Sequence, residues 1–147
     1  DLLGTEVGAA AKNVVGIAAG MLDGAGYTSL KGALMARGAR EIARLIRAMG
    51  GNELSAYGLC HLGDYEATLF SAHSHNRLFG ECFVQGKPCN YLAEGAATVK
   101  ALVRLGEIYQ VDLPICKTVY CMLYEGHPVD QALPTLFARS VKGEFYI

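Results

Sequence analysis

The chain has 147 residues, with 13 Lys and Arg residues against 14 Asp and Glu residues, which gives a formal net charge of −1. This balance leaves no excess of cationic side chains for phosphate-rich polymers, so the composition disfavours generic nucleic-acid binding. Because 52% of the residues are hydrophobic and 18% are charged, we expect a globular chain whose length suits one domain with a substantial core.

Targeting and redox features are sparse. The longest run without a charged or strongly polar residue, 14–22, is far shorter than the roughly 20 residues of a membrane span. The start DLLGTEVGAA has no basic segment followed by a long apolar one, so we expect no secretory signal. The five cysteines contain no C-x-x-C pair, which disfavours a disulfide framework and a zinc knuckle and predicts reduced thiols in the cytoplasm. They are Cys60, Cys82, Cys89, Cys116 and Cys121.

Apolar residues recur at intervals of three and four almost throughout, which predicts an all-α fold of amphipathic helices packed on one another. The predicted helices cover residues 5–22, 30–49, 53–60, 77–84, 95–109, 114–125 and 128–139. Pro114 and Pro128 suit first-turn positions, whereas Pro134 is expected to kink or shorten the last helix. Between 61 and 77, the sequence HLGDYEATLFSAHSHNR predicts a loop or broken helix in which polar residues concentrate.

Lys12 stands in an unusual row on the first predicted helix. Gly8, Lys12, Gly16 and Gly20 recur at intervals of four, so this face has almost no side-chain volume except the lysine. Two interpretations are open. The glycines admit another helix backbone while the lysine reaches the surface, or a substrate lies over the glycines with the amine in a partly dry site. In the second case desolvation disfavours the ammonium and makes proton exchange easier near neutral pH.

The broken-helix segment offers further polar candidates. Asp64 is either a solvated turn residue or a carboxylate that orients Lys12 or a substrate hydroxyl. The succession from Ser74 to Arg77 supplies several donors, which predicts a phosphate-binding loop if its backbone curls around the anion.

A metal site and a cysteine nucleophile are the alternatives at these positions. His61, Asp64, His73 and His75 are candidate zinc ligands, but a His-x-His pair without a third well-spaced ligand is commonly incidental, so no metal site is predicted. Cys116 and Cys121 fall on a predicted packed helix, which favours core filling over catalysis.

Five motifs in order resemble the C-terminal, substrate-binding domain of the NAD(P)-dependent glycerol-3-phosphate dehydrogenases. They are GTEVGAAAKNVVGIAAGMLDGAG, LKGALMARG, GLCHLGDYEATLFSAHSHNRLFG, LAEG and DLPICKTVYCMLYEGHPV, the last followed by ARSVKGE. A single motif such as KNV would leave related helical dehydrogenase domains open, including those of 6-phosphogluconate enzymes. The resemblance implies a fold like the 6-phosphogluconate dehydrogenase C-terminal domain over residues 1–147.

The resemblance also implies roles for individual residues. Lys12 is the expected proton donor and acceptor, and Asp64 is expected beside it near the substrate hydroxyl. The implied substrate-binding residues are Asn13, Thr68, Ser74, His75, Asn76 and Arg77. The implied cofactor-binding residues are His75, Leu92 and Glu94, the last two from LAEG.

His75 departs from the family pattern, which usually has arginine at this position. Arginine is charged at every accessible pH, whereas histidine titrates near neutrality. The departure predicts that phosphate binding weakens above neutral pH, or that Arg77, which also matches a family arginine, contributes more of it.

The reaction that the resemblance implies is the interconversion of dihydroxyacetone phosphate and sn-glycerol 3-phosphate with NADH or NADPH, for glycerophospholipid synthesis. The family joins this helical domain to an N-terminal Rossmann domain, and the chain contains no G-x-G-x-x-G motif. We therefore expect the chain alone to be inactive, with its own Rossmann domain, the small substrate and a second copy in a homodimer as partners. Two other functions stay open: a sister dehydrogenase for another phosphorylated or hydroxy-acid substrate, and a non-catalytic helical interaction module.

Overall fold

A computed structural model of the chain describes residues 1–138. Within this range the regular structure is helical throughout, without a β-strand, as the apolar periodicity predicts. The α-helices are α1 Leu2–Gly24, α2 Lys31–Ala48, α3 His75–Gln85, α4 Glu94–Tyr109, α5 Pro114–Tyr124 and α6 Val129–Thr135. Short 3₁₀ turns cover Thr28–Leu30, Glu53–Tyr57 and Leu62–Asp64, and a π-helical turn covers Glu66–Phe70.

Helix α1 is the central element of the fold. Its residues from Val14 to Leu22 are all buried, and it packs against α2, α3, α4 and α5. Apolar side chains from the other five α-helices pack around α1, and together with its own side chains they form one hydrophobic core. No helix in the described part of the chain is long and apolar enough to cross a membrane.

The N-terminus of α1 lies three residues earlier than the sequence predicts, because Asp1 caps it. The Asp1 carboxylate accepts hydrogen bonds from the backbone N–H of Gly4 at 3.1 Å and of Asn52 at 2.8 Å, and from the Ser55 hydroxyl at 2.8 Å. One side chain thus closes the helix and fixes the turn that follows α2.

Helices α1 and α3 cross at very short range. A Cβ atom added at Gly20 would lie 1.8 Å from the carbonyl oxygen of Arg77, and one added at Gly80 would lie 2.1 Å from that of Ile17. Only glycine at both positions lets the two backbones approach this closely. The crossing fixes the first half of α3 against the C-terminal half of α1.

Several predicted boundaries were wrong, for local reasons. The predicted helix 53–60 is a 3₁₀ turn that ends at Tyr57, followed by Gly58. Helix α3 begins at His75, two residues early, because Ser74 caps it. Pro128 precedes α6 instead of occupying its first turn, and α6 contains Pro134 near its end. The predicted end of this helix at residue 139 and most of the motif ARSVKGE lie outside the described residues.

Candidate active site

Lys12 and Asp64 are in direct contact. The Lys12 ammonium on α1 donates a hydrogen bond to a carboxylate oxygen of Asp64, the last residue of the 3₁₀ turn Leu62–Asp64. The two side chains are 24% and 40% exposed respectively, so the pair lies at an edge of the core that a solute can reach. The contact satisfies the geometric requirement for the predicted catalytic pair, whose chemical role stays a prediction.

A buried histidine anchors the turn that carries Asp64. One ring nitrogen of His61, Nδ1, bonds the carbonyl oxygen of Gly8 at 2.8 Å, and the other bonds the hydroxyl of Tyr65. Burial lowers the pKa of His61 to about 4, so the ring is neutral at physiological pH. Because the ring is neutral, Nδ1–H donates a hydrogen bond to the Gly8 carbonyl, and Nε2 accepts one from the Tyr65 hydroxyl.

Thr68 fixes the other side of Asp64. Its hydroxyl donates to the Asp64 carbonyl at 2.9 Å from within the π-helical turn Glu66–Phe70, and its methyl group packs over Gly16. Segments of π-helix are rare and frequently occur at functional sites. Thr68 is buried, so in this structure it positions Asp64 instead of opening toward solvent.

Asn76 joins three helices beside the lysine. Its side-chain nitrogen donates to the Asn13 side-chain oxygen at 3.2 Å, and its oxygen accepts the backbone N–H of Gly95 at 3.0 Å. Asn13 immediately follows Lys12, and Gly95 belongs to the first turn of α4. Asn13 and Asn76, both predicted to bind substrate, thus lie together at the junction of α1, α3 and α4.

The predicted phosphate-binding loop is the start of a helix. The Ser74 hydroxyl caps α3 by accepting the Arg77 N–H at 3.3 Å, and residues 75–77 form the first turn. The prediction of a loop was therefore wrong. Backbone N–H groups at a helix N-terminus favour anions, and phosphate binding at residues 74–77 stays a prediction.

Arg77 differs from its neighbours because its guanidinium is engaged within the protein. It donates to the Ser71 carbonyl at 2.9 Å and forms ion pairs with Asp23 at 3.0 Å and Glu81 at 2.9 Å, and its side chain is 11% exposed. Lys31 completes this cluster, pairing with Asp23 at 2.6 Å. Burial opposes ionisation of Asp23, but hydrogen bonds from its cationic neighbours and from a nearby hydroxyl outweigh burial and lower its pKa.

The three predicted cofactor-binding residues lie on adjoining segments. His75 is exposed, and its ring packs against that of Tyr91 with 4.9 Å between centroids and an angle of 36° between the ring planes. Tyr91 immediately precedes Leu92, which is 80% exposed, and Glu94 begins α4. Together they form an exposed edge next to the Asn76 junction.

Some sequence-based interpretations do not survive. The glycine row is filled by protein and not by a ligand, since added Cβ atoms would meet Cys60 at Gly8, Thr68 at Gly16 and Arg77 at Gly20. The zinc alternative fails at His61, because both of its ring nitrogens are bonded within the core. Core filling holds for Cys116 but was wrong for Cys121, which is partly exposed at the end of α5.

Sequence reasoning missed several positioning residues. Asp23 and Lys31 were overlooked because their contact joins different helices. Glu41 carried a local signal, being a carboxylate on the apolar face of α2. It accepts the backbone N–H groups of Ile115 at 2.8 Å and Cys116 at 3.0 Å, which caps α5 from inside the core. Burial raises the pKa of Glu41 to about 7 despite these hydrogen bonds.

The fold and site define an all-α domain with an accessible lysine–carboxylate pair beside a helix N-terminus. The family model described as the C-terminus of NAD-dependent glycerol-3-phosphate dehydrogenase matches residues 1–134. The chain therefore belongs to the family of glycerol-3-phosphate dehydrogenase C-terminal domains.

Named relatives agree with this membership. The chain is 41% identical to a glycerol-3-phosphate dehydrogenase [NAD(P)+] of Prosthecochloris aestuarii over 98% of its length, and 40% identical to that of Thermotoga sp. (strain RQ2) over 99%. These alignments cover 46% and 48% of the relatives, so the chain spans about half their length. A crystal structure of glycerol-3-phosphate dehydrogenase from Coxiella burnetii superposes with a TM-score of 0.89 at 28% identity, covering 95% of this chain and 45% of that one.

Proposed function

We propose that the protein to which this chain belongs interconverts dihydroxyacetone phosphate and sn-glycerol 3-phosphate with NADH or NADPH, and so supplies glycerophospholipid synthesis. The observation that carries the proposal is the contact between Lys12 and Asp64 at an accessible edge of a domain from this family. The helical chain would supply the acid, the orientation and the phosphate site of that reaction.

Lys12 is the proposed general acid. Reduction of a ketone places negative charge on its oxygen, and a nearby ammonium both stabilises this charge and donates a proton to it. In the opposite direction the neutral amine accepts the hydroxyl proton of glycerol 3-phosphate. Asp64 holds the Lys12 side chain in position, and the His61 and Thr68 contacts hold Asp64.

The substrate phosphate is proposed to bind at the N-terminus of α3. The first-turn amides of His75 and Asn76 supply a favourable electrostatic field, and the exposed His75 ring adds a further donor. Ser74 contributes by capping the helix. We propose Arg77 as a positioning residue, because its ion pairs with Asp23 and Glu81 already engage the guanidinium.

NADH or NADPH is proposed to bind mostly on an N-terminal Rossmann domain of the same protein, and when bound it supplies the hydride. The fit of this chain to such a cofactor is supported by the exposed edge of His75, Tyr91, Leu92 and Glu94. A large exposed leucine beside a pair of packed aromatic rings is suited to cover one face of a planar ring.

The remaining partners follow from the same proposal. We propose a homodimer in the cytoplasm, with no nucleic-acid partner. Five free cysteines within the described residues are compatible with a reducing compartment, and the near-zero net charge argues against a polyanionic partner.

The experiment is a spectrophotometric assay of the intact protein. NADH and NADPH oxidation is followed with dihydroxyacetone phosphate, with unphosphorylated dihydroxyacetone and with a panel of other phosphorylated ketones and 2-keto acids. We expect turnover with dihydroxyacetone phosphate and at least ~10²-fold lower kcat/KM without the phosphate, because remote binding energy positions the reacting carbon. Preference for another substrate would establish a sister dehydrogenase, and no turnover with any substrate would favour the interaction module.

A further inference from the structure

A second group of chemically active side chains lies at the end of α5. Cys121, Glu125 and His127 each offer one potential ligand atom, and these atoms all lie within 4.8 Å of one another. Among the described residues, no other group of three or more His, Cys, Asp or Glu side chains is close enough together to share an ion. It lies on α5 and the connection to α6, whereas the Lys12 and Asp64 pair lies on α1 and the turn before the π-helical segment.

The local backbone brings the three residues together. The N–H groups of Glu125 and His127 both donate to the Cys121 carbonyl, at 3.1 Å and 3.2 Å. Gly126 between them has a φ of +68°, a left-handed conformation that reverses the chain at the helix end. Helix spacing places Glu125 one turn beyond Cys121, and the reversal returns His127 to the same side.

The side chains already interact with one another. The Cys121 thiol is in hydrogen-bond contact with the Glu125 carboxylate, and the Glu125 Oε2 lies 3.6 Å from the His127 Nε2. Sulfur, imidazole nitrogen and carboxylate oxygen together are a ligand set that Zn²⁺ accepts, in sites with three protein ligands and one open position.

An open cavity adjoins the group and leaves space for a fourth ligand. Its volume is about 370 Å³, and Cys121 and His127 line it together with Lys117, Thr118, Gln131 and Thr135. The Lys117 ammonium pairs with Asp112 at 3.3 Å, which reduces its repulsion of a bound cation. We propose that Cys121, Glu125 and His127 form a binding site for one zinc-like divalent cation, with water or a small anion in the fourth position.

Binding converts the Cys121 thiol to a thiolate and releases its proton to solvent, with no change in oxidation state. The cation would cross-link the last turn of α5 to the segment that leads into α6. A ligand that binds the folded state raises its melting temperature, so the site has a stability readout that is independent of activity.

The test uses Co²⁺ as a coloured replacement for Zn²⁺, added to the intact protein after chelator treatment. We expect thiolate-to-cobalt absorption in the near ultraviolet, tetrahedral bands in the visible, about one ion per chain, and loss of all bands on adding Zn²⁺. Cys121→Ser is expected to abolish the thiolate band, and His127→Gln to weaken Co²⁺ affinity by at least about tenfold.

Matched controls separate this site from other thiols. The Cys82 and Cys89 thiols contact one another on a different part of the surface, so the double variant Cys82→Ser/Cys89→Ser is expected to retain the parental cobalt spectrum. Absence of a thiolate–cobalt band in the parent would overturn the proposal, as would a band lost in the double variant but kept in Cys121→Ser. Because His127 is 54% exposed, His127→Gln provides the test even if Cys121→Ser fails to fold.

Discussion

Two Lys–Asp pairs, each with one member on the central helix α1, illustrate opposite uses of one interaction. Lys31 and Asp23 are 5% and 11% exposed, and each has further partners: Lys31 donates to the Leu69 carbonyl at 2.8 Å, and Asp23 accepts from Arg77. Lys12 and Asp64 are 24% and 40% exposed.

The two pairs differ in burial, and this difference indicates a structural role for the Lys31 pair and a chemical role for the Lys12 pair. A buried pair with every polar atom engaged holds elements together, and the Lys31 cluster joins α1, α2, α3 and the π-helical turn. A partly exposed pair retains access to a solute and to a transferable proton. We therefore expect substitutions at the two lysines to affect different properties.

The largest expected effect is on stability, at the buried pair. Lys31→Met should lower the free energy of unfolding by about 3 kcal/mol, because it removes one partner from a desolvated ion pair and leaves Asp23 with less compensation. Denaturant unfolding measures the change. Lys12→Met is the matched control and should change stability by no more than about 1 kcal/mol, since exposed pairs contribute little. Equal losses in both variants would contradict the distinction between the pairs.

The next effect is on catalysis, at the exposed pair. In the intact protein, Lys12→Ala should lower kcat for the proposed reaction by ~10²-fold, about 2.7 kcal/mol, through loss of the proposed general acid. Lys12→Arg retains the positive charge but holds its proton too tightly to donate it, so kcat should stay low. Steady-state kinetics with dihydroxyacetone phosphate provides the measurement. Turnover near the parental rate in Lys12→Ala would refute the proposed role.

The third expected effect is on the pH dependence of stability, to which the buried residues Glu41 and His61 contribute. The raised pKa of Glu41 stabilises the fold at low pH, and this contribution is lost as pH rises from about 4.5 to 7. The lowered pKa of His61 acts in the opposite sense, with stability lost as pH falls from 6.5 to about 4. The two contributions partly cancel between pH 5 and 6.5.

Glu41→Gln removes the Glu41 contribution to this pH dependence and leaves that of His61. The variant should lose more stability than the parent between pH 7 and pH 5, by on the order of 1 kcal/mol, because the His61 contribution is no longer opposed. Unfolding free energies at the two pH values test this. The same or a smaller loss in the variant would show that Glu41 is ionised in the folded protein across this range.

The smallest expected effect is at the exposed His75. In steady-state kinetics of the intact protein, His75→Ala should raise the KM for dihydroxyacetone phosphate by about threefold, because a single donor at an exposed position contributes little binding energy. The His75→Arg variant keeps a donor at this position and should have a KM close to that of the parent. An unchanged KM in His75→Ala would show that His75 does not contribute to phosphate binding.

Local features of the chain specify the helical class and the residues of the exposed pair. Apolar spacing specifies which face of each helix is buried, and the row from Gly8 to Gly20 signals a close approach along α1, because these features are local in the chain. Six of the predicted helical segments correspond to α-helices of the structure, and only the segment 53–60 proved to be a 3₁₀ turn.

Tertiary structure alone decided what fills the glycine row, which lysine is buried, and where Arg77 directs its charge. These outcomes depend on residues far apart in sequence: Gly20 meets the Arg77 backbone, Lys31 meets Asp23 and the Leu69 carbonyl, and Glu41 caps α5. Whether an ionisable side chain is structural or reactive depends on its desolvation and on how many partners it finds. Both quantities arise only when helices pack. A local pattern such as the position of Glu41 on an apolar face can indicate burial, but it does not identify the partners.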